Sequence, residues 1–324
     1  MANNQLCKVL EIKKPIIQGP MAWISTAPLV AAVSETGALG VLGVGFAPPE
    51  FIKQQIAETR RLTKNPFGIN VILIEPMLDS VTAIIQEEKP PVVYADSLEG
   101  LEIDICKKYF PIWKACHCKI IVKVCTIADA ITAEKGGADV VIVKGWEGGG
   151  HVSVEATTVL VPQAADVLSI PIVASGGIAD GRGMAAAIAL GADGIEMGTI
   201  FMCAEETIIH PNAKRAVLEA GDMDTVITGY YTGEPCRQIK NKLSDDLLEM
   251  ETRNAPVAVV EQIKAMAEKS LKKAMMDGDC ENGAVMAGQI APLITESKKV
   301  EEIIKSILAE CKEVFEKTKD YSYS

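Results

Sequence analysis

Two glycine-rich turns carry the clearest chemistry in this chain. Residues 171–183 read PIVASGGIADGRG and residues 192–199 read ADGIEMGT. Each is a short apolar run that ends in a turn and leads into a helix. Paired turns of this kind, close in sequence, hold a phosphate after the last two strands of a (β/α)8 barrel. Glycine lets main-chain N–H groups approach the anion, and a helix start adds partial positive charge. Ser175, Gly176, Gly177, Gly198 and Thr199 are therefore candidates to grip the phosphate of a cofactor or substrate.

A second signal is KGWEGGGH at residues 144–151. Three glycines before a histidine make a mobile loop with an imidazole at its end. Histidine is the usual side chain for proton transfer near neutral pH. The chain has three histidines; His117 lies in a Lys/Cys-rich connection and His210 stands before a proline, so His151 is the candidate for chemistry. Glu147 could orient it, bind substrate or be solvated. The third strand is expected to end near Asn70, where an inward amide offers a heterocycle both donor and acceptor; a satisfied core amide is the plainer reading. Gly19, Pro20 and Met21 give either a flat backbone suited to an aromatic ring or a tight turn. Lys123 and Lys144 interrupt apolar runs. Each could form a Schiff base, balance an anion or simply reach solvent, so neither is assigned a catalytic role.

These residues need a scaffold. Apolar runs at 15–21, 38–43, 68–74, 92–95, 119–124, 140–144, 172–175 and 195–199 alternate with helical stretches at 27–36, 49–61, 77–88, 127–135, 158–168 and 184–191. Strict β-α alternation with short connections predicts a parallel sheet, and eight units favour a closed TIM barrel over an open sheet. The barrel is expected over residues 1–204. Residues 205–276 are charged and predict a helix-rich cap over the mouth, with a Gly/Thr/Tyr-rich passage at 228–233. Residues 277–324 return to the barrel and end in an amphipathic helix at 296–317.

The 324 residues are 48% hydrophobic but only 5% aromatic, as strands buried on both faces require. A net charge of −11 argues against general nucleic-acid binding, which needs a basic surface. No uncharged apolar run reaches the roughly 18–20 residues that span a membrane. With no signal-peptide pattern at the start and nine scattered cysteines, free thiols in a cytoplasmic protein are expected. Cys116, His117, Cys118 and Cys125 match no common zinc spacing, so no metal is assigned. On residues alone, a non-flavin barrel that binds a sugar or nucleotide phosphate remains open.

Several motifs then coincide in order: PIIQGPMAW at 15–23, GGGH at 148–151, ASGGIADG at 174–181, MGT at 197–199 and GAVMAGQI at 283–290. Together they resemble the nitronate monooxygenase / 2-nitropropane dioxygenase superfamily of FMN-dependent barrels. Within it, His210-Pro211-Asn212, Arg237, IKNK at 239–242 and GDCENGAVMAGQI at 278–290 resemble the branch of bacterial enoyl-acyl carrier protein reductases II. The resemblance implies an FMN phosphate on Gly176, Gly177, Gly198 and Thr199, with Ser175 on the same rim. It implies Gly19, Met21 and Ala22 against the flavin ring and Asn70 at its edge. It also implies Glu147, Gly149 and Gly150 beside the cofactor, Met286, Gly288 and Gln289 closing over it, and His151 as the active-site histidine. The implied activity is reduction of trans-2-enoyl thioesters of acyl carrier protein or coenzyme A, in fatty-acid synthesis, with NADH or NADPH. Nitronate oxidation with O2 is the alternative. A homodimer is the expected assembly. Arg60, Arg61, Lys64, Arg237, Lys240 and Lys242 would offer an acidic carrier protein a basic docking face. The chain departs from the branch in three places: GGGHVS at 148–153 instead of AGGHIG, YADSL at 94–98 instead of a glycine-rich turn, and Ile200 instead of arginine. All three lie at or near the mouth.

Overall fold

The computed structural model describes residues 4–98, 100–252 and 254–319. Its strands are β1 (Ile16–Gln18), β2 (Leu39–Leu42), β3 (Phe67–Ile72), β4 (Val92–Asp96), β5 (Lys119–Val124), β6 (Val140–Lys144), β7 (Gly150–His151), β8 (Ile172–Ser175), β9 (Gly194–Met197), β10 (Thr225–Thr228) and β11 (Cys236–Ile239). Eight of them, β1–β6 with β8 and β9, close into a parallel barrel in which β1 pairs both β2 and β9. The fold is the expected (β/α)8 barrel. The first strand is shorter than predicted because Pro20 has no N–H for the ladder. The last stops at Met197, and a helix begins at Thr199.

Alternation sorts each strand between two cores. Ile17, Leu39, Val41, Val92, Tyr94, Ile121, Val140, Ile142 and Val173 fill the barrel interior. Helix α1 (Gln5–Leu10) floors it with Leu6 and Leu10. The intervening residues, among them Ile16, Leu42, Ile69, Val93, Val122, Val143, Ala174 and Ile195, face the surrounding helices. Those are α2 (Ala27–Glu35), α3 (Pro49–Leu62), α4 (Glu75–Glu88), α5 (Ile103–Ala115), α6 (Ile127–Gly136), α7 (Thr157–Val167) and α8 (Gly181–Ala189). Helix α5, with Pro111 inside it, is not marked by the apolar pattern.

After the barrel come α9 (Thr199–Met202), α10 (Pro211–Leu218), α11 (Lys242–Met250), α12 (Val257–Glu268) and α13 (Ser270–Met275). This region is not wholly helical. β10 and β11 form an antiparallel hairpin, and the Gly/Thr/Tyr-rich passage is its turn. β11 then pairs antiparallel with β7, the segment that carries His151. The hairpin escapes prediction because its strands have four residues each and mix Thr, Arg and Gln with their apolar residues.

The C-terminal helix α14 (Val300–Thr318) packs on α8. Gly181 makes this possible: a Cβ there would lie 2.5 Å from the Ile307 carbonyl and closer still to the Cys311 nitrogen. Gly181→Ala is expected to destabilise the fold by about 1–3 kcal/mol through overpacking. A lower denaturant midpoint at an unchanged m-value would show it.

Candidate active site at the barrel mouth

The turn after β8 is built by its glycines. Gly176 and Gly177 have φ of +94° and +73°, in the left-handed region that side chains avoid. A Cβ on Gly176 would lie 2.8 Å from the Gly145 carbonyl, and one on Gly177 would lie 3.3 Å from Glu147 Cβ. Thr157 fixes the turn from below, its hydroxyl 3.1 Å from the Ser175 carbonyl and 2.9 Å from that of Gly176. Among the described residues no backbone hydrogen bond engages the N–H groups of Gly176, Gly177, Gly198 or Thr199. Such a cluster of free main-chain donors is what an anion requires.

The 145–151 loop lies beside this turn, and its carbonyls are gathered onto partners. Lys144 Nζ donates to the carbonyls of Gly149 at 2.8 Å and His151 at 2.7 Å. Arg237, 3% exposed, donates through Nε and Nη2 to the Trp146 carbonyl and stacks 4.9 Å from the Trp146 ring centre. Gln289 N–H donates to the Glu147 carbonyl at 2.9 Å. The Gly288 N–H donates to Thr199 Oγ1 at 3.0 Å. A Cβ on Gly149 would collide with Ala287 at 2.6 Å, and one on Gly150 would touch Met286 Sδ at 3.8 Å. Gly149, Gly150, Thr199, Met286, Gly288 and Gln289 are thus brought together. Met21 joins them, its Sδ 3.4 Å from where a Gly198 Cβ would stand. Ala22 follows Met21 in the turn after β1, half-buried.

Three expectations need correction. Glu147 does not orient His151: its carboxylate accepts from the Thr157 N–H and hydroxyl at 3.0 Å each, so it caps α7. The Ser175 hydroxyl is not on the phosphate rim. It turns into the barrel and donates to Glu196 at 2.7 Å. Arg237 is no docking residue, being buried beneath the loop. Of the other proposed docking cations, Arg60, Arg61 and Lys242 are paired with Glu88, Glu58 and Asp246.

Inside the mouth the inward column of side chains turns polar. Tyr94 donates to Glu196, and Lys123 pairs with Asp96 at 2.6 Å. Gly19 lies against Glu196. Asn70 accepts from the Gly45 N–H at 3.0 Å, but its buried Nδ2 has no partner, and neither has Asp96 Oδ1 or Ser97 Oγ. Burial lowers the Lys144 pKa to about 8, helped by the Lys123 charge. Burial opposes the Lys123 ammonium most strongly, yet the charges of Asp96 and Glu196 raise its pKa overall. Burial, then Lys144 and Lys123, push the His151 pKa below its ordinary value, so the imidazole is neutral at pH 7.

The sequence gives no role to Lys144 or Thr157, and none to Cys236, which stands opposite His151 in the β7–β11 pairing. His210 caps α10 through Nδ1 to the Asn212 N–H, and Gly278 packs against its ring. No group of three or more His, Cys, Asp or Glu placed to hold a metal occurs among the described residues, and none of their helices is long and apolar enough to cross a membrane.

The whole arrangement has known counterparts. The family model for nitronate monooxygenase matches residues 3–109 and 111–310. A Bacillus subtilis (strain 168) protein named "Probable nitronate monooxygenase" is 31% identical, over 95% of this chain and 99% of its own. Among solved structures, FabK from Thermotoga maritima has a TM-score of 0.92 and 40% identity, covering 99% of this chain and 100% of its own. A nitroalkane oxidase from Streptomyces ansochromogenes has a TM-score of 0.81 and 26% identity, covering 96% of this chain and 99% of its own. The match across nearly every residue, barrel and appended segments alike, means that this chain belongs to the nitronate monooxygenase family of oxidoreductases.

Proposed function

We propose that the protein reduces trans-2-enoyl thioesters of acyl carrier protein or coenzyme A, using NADH or NADPH and a bound FMN. The observation that carries this reading is the 40% identity and 0.92 TM-score to FabK, whose branch of enoyl reductases the motifs resemble. Two features of the mouth fit FMN. One is the set of free N–H groups on Gly176, Gly177, Gly198 and Thr199, suited to its phosphate. The other is the unpartnered, buried Asn70 Nδ2, a donor for a heterocycle.

When bound, FMN supplies hydride transfer between nicotinamide and substrate. Gly19, Met21 and Ala22 would line its ring, and the contacts of Gly149 with Ala287 and of Gly150 with Met286 would close the site. Glu147 acts at one remove, by fixing the glycine turn through Thr157. His151 ends the loop as a neutral imidazole that makes no side-chain hydrogen bond among the described residues. It is therefore free to donate to a thioester carbonyl and to hold a proton for the α-carbon. The neutral form suits that role, since a charged imidazole buried beside two lysines is disfavoured.

A second reading, oxidation of alkyl nitronates with O2, is favoured by the 31% identity to the Bacillus subtilis relative. One spectrum separates the two. NADH or NADPH added anaerobically should bleach the flavin absorbance rapidly if the protein is a reductase. Bleaching by an alkyl nitronate alone would make it an oxygenase. A colourless protein that cannot be reconstituted with FMN would overturn both.

A further inference from the structure

We propose that Lys144 is a positioning residue, which reaches up from inside the barrel to clamp the 149–151 backbone and so holds His151 over the mouth. This rests on the reading of His151 given above. The geometry carries it. Lys144 is the last residue of β6 and is 8% exposed. One ammonium binds two carbonyls, those of Gly149 and of His151 itself, at 2.8 and 2.7 Å. Charge-assisted hydrogen bonds of this kind are roughly twice as strong as neutral ones. The stem of the lysine passes directly under the loop: a Cβ on Gly148 would lie 2.7 Å from Lys144 Cε. With its nitrogen bonded to main-chain oxygens, Lys144 is spoken for and does not serve as a Schiff-base nucleophile.

The grip is double. Arg237 holds the Trp146 carbonyl at the other end of the loop. β7 itself is only two residues long, so its pairing with β11 cannot fix the loop alone. The groups that face Lys144 are Lys123 on β5, Cys125 just after it, Asp96 on β4, Glu196 on β9, Cys236 on β11 and His151 on β7. Lys123 repels the Lys144 charge, whereas Asp96, Glu196 and Cys125 favour it, and burial outweighs all of them.

The test uses the flavin-loaded protein and the variant Lys144→Met, alone and combined with His151→Ala. If Lys144 acts through His151, the single change lowers kcat by about 10²-fold, a cost typical of misplaced catalytic geometry. In the His151→Ala background it then costs less than about twofold. An equal loss in both backgrounds, or no loss in either, overturns the proposal. An independent readout is the NMR titration of His151, with His117 and His210 as internal controls. Removing the ammonium should raise the His151 pKa, and an unchanged value overturns the proposal. Should Lys144→Met not fold, the wild-type titration decides. A second inflection of the His151 signal near pH 8 supports the clamp, and its absence overturns it. Full activity of His151→Ala would sink the reading of His151, while the titration would still report on the clamp.

Discussion

Replacing His151 by alanine is expected to lower kcat by about 10²–10⁴-fold while the protein keeps its flavin, as loss of a proton-transfer group generally does. The flavin should remain because the candidate phosphate donors are main-chain groups of Gly176, Gly177, Gly198 and Thr199, which a change of the His151 side chain leaves in place. Steady-state turnover and the visible spectrum of the purified variant check the two halves separately. The pH profile adds a third. Burial first, then Lys144 and Lys123, lower the His151 pKa below 6.5. The neutral imidazole therefore predominates at pH 7, and turnover should fall as pH drops through that lowered value. The acid limb should vanish in the alanine variant. Stability follows the same sign: an unfolded chain binds the proton more readily, so the His151 contribution is present above about pH 6.5 and is lost as pH falls through the folded value. An acid limb that persists in the variant would assign it to another group.

Gly176→Val is expected to yield protein that cannot retain FMN, with affinity lowered by about 10²-fold or more. Two costs combine. The residue must hold φ near +94°, a conformation costing a β-branched side chain of order 1–3 kcal/mol. Its Cβ would also lie 2.8 Å from the Gly145 carbonyl and 3.1 Å from Thr157 Oγ1. The turn can relieve that clash only by moving its N–H groups, and each 1.4 kcal/mol of lost contact is tenfold in affinity. Gly137→Ala is the control. Gly137 has φ of +97° at the end of α6, but its Cβ would meet only Lys114 Nζ, at 3.9 Å. That variant should lose some stability and keep its flavin. Flavin retained at full occupancy by Gly176→Val, measured by absorbance after gel filtration, would refute the placement of the phosphate.

The barrel was legible because it is local. Each strand is an apolar run, each connection is short, and periodicity separates the two within about 30 residues. The two glycine turns were legible for the same reason. What joins them was not. Arg237 meets Trp146 across 91 residues and Gly288 meets Thr199 across 89, and no local pattern announces either contact. Arg237 therefore read as a surface charge, although the loop needs it underneath. For Glu147 the sequence left three roles open, orienting His151, binding substrate or facing solvent, yet its carboxylate turns to the start of α7. Ser175 looked like part of the anion rim, but strand alternation places its side chain inward, on the same face as Val173. That alternation is a signal the sequence did contain. Lys144 illustrates the opposite case: a cation at a strand end is ambiguous until its acceptors are known.

The return segment 286–289 has a consequence for biosynthesis. It holds Glu147 and Thr199 together through Gln289 and Gly288, so the mouth is assembled from three stretches of chain far apart in order of translation. A nascent polypeptide has all eight barrel strands once β9 has left the ribosome, but α14, which covers α8 and α2, follows about a hundred residues later. At that stage the loop bearing the imidazole still lacks its outer wall. Only when roughly ninety further residues have emerged can the cofactor be sealed in. A protein cut short before Gly288 should thus be colourless, and without α14 the faces of α8 and α2 that it covers would be bare as well.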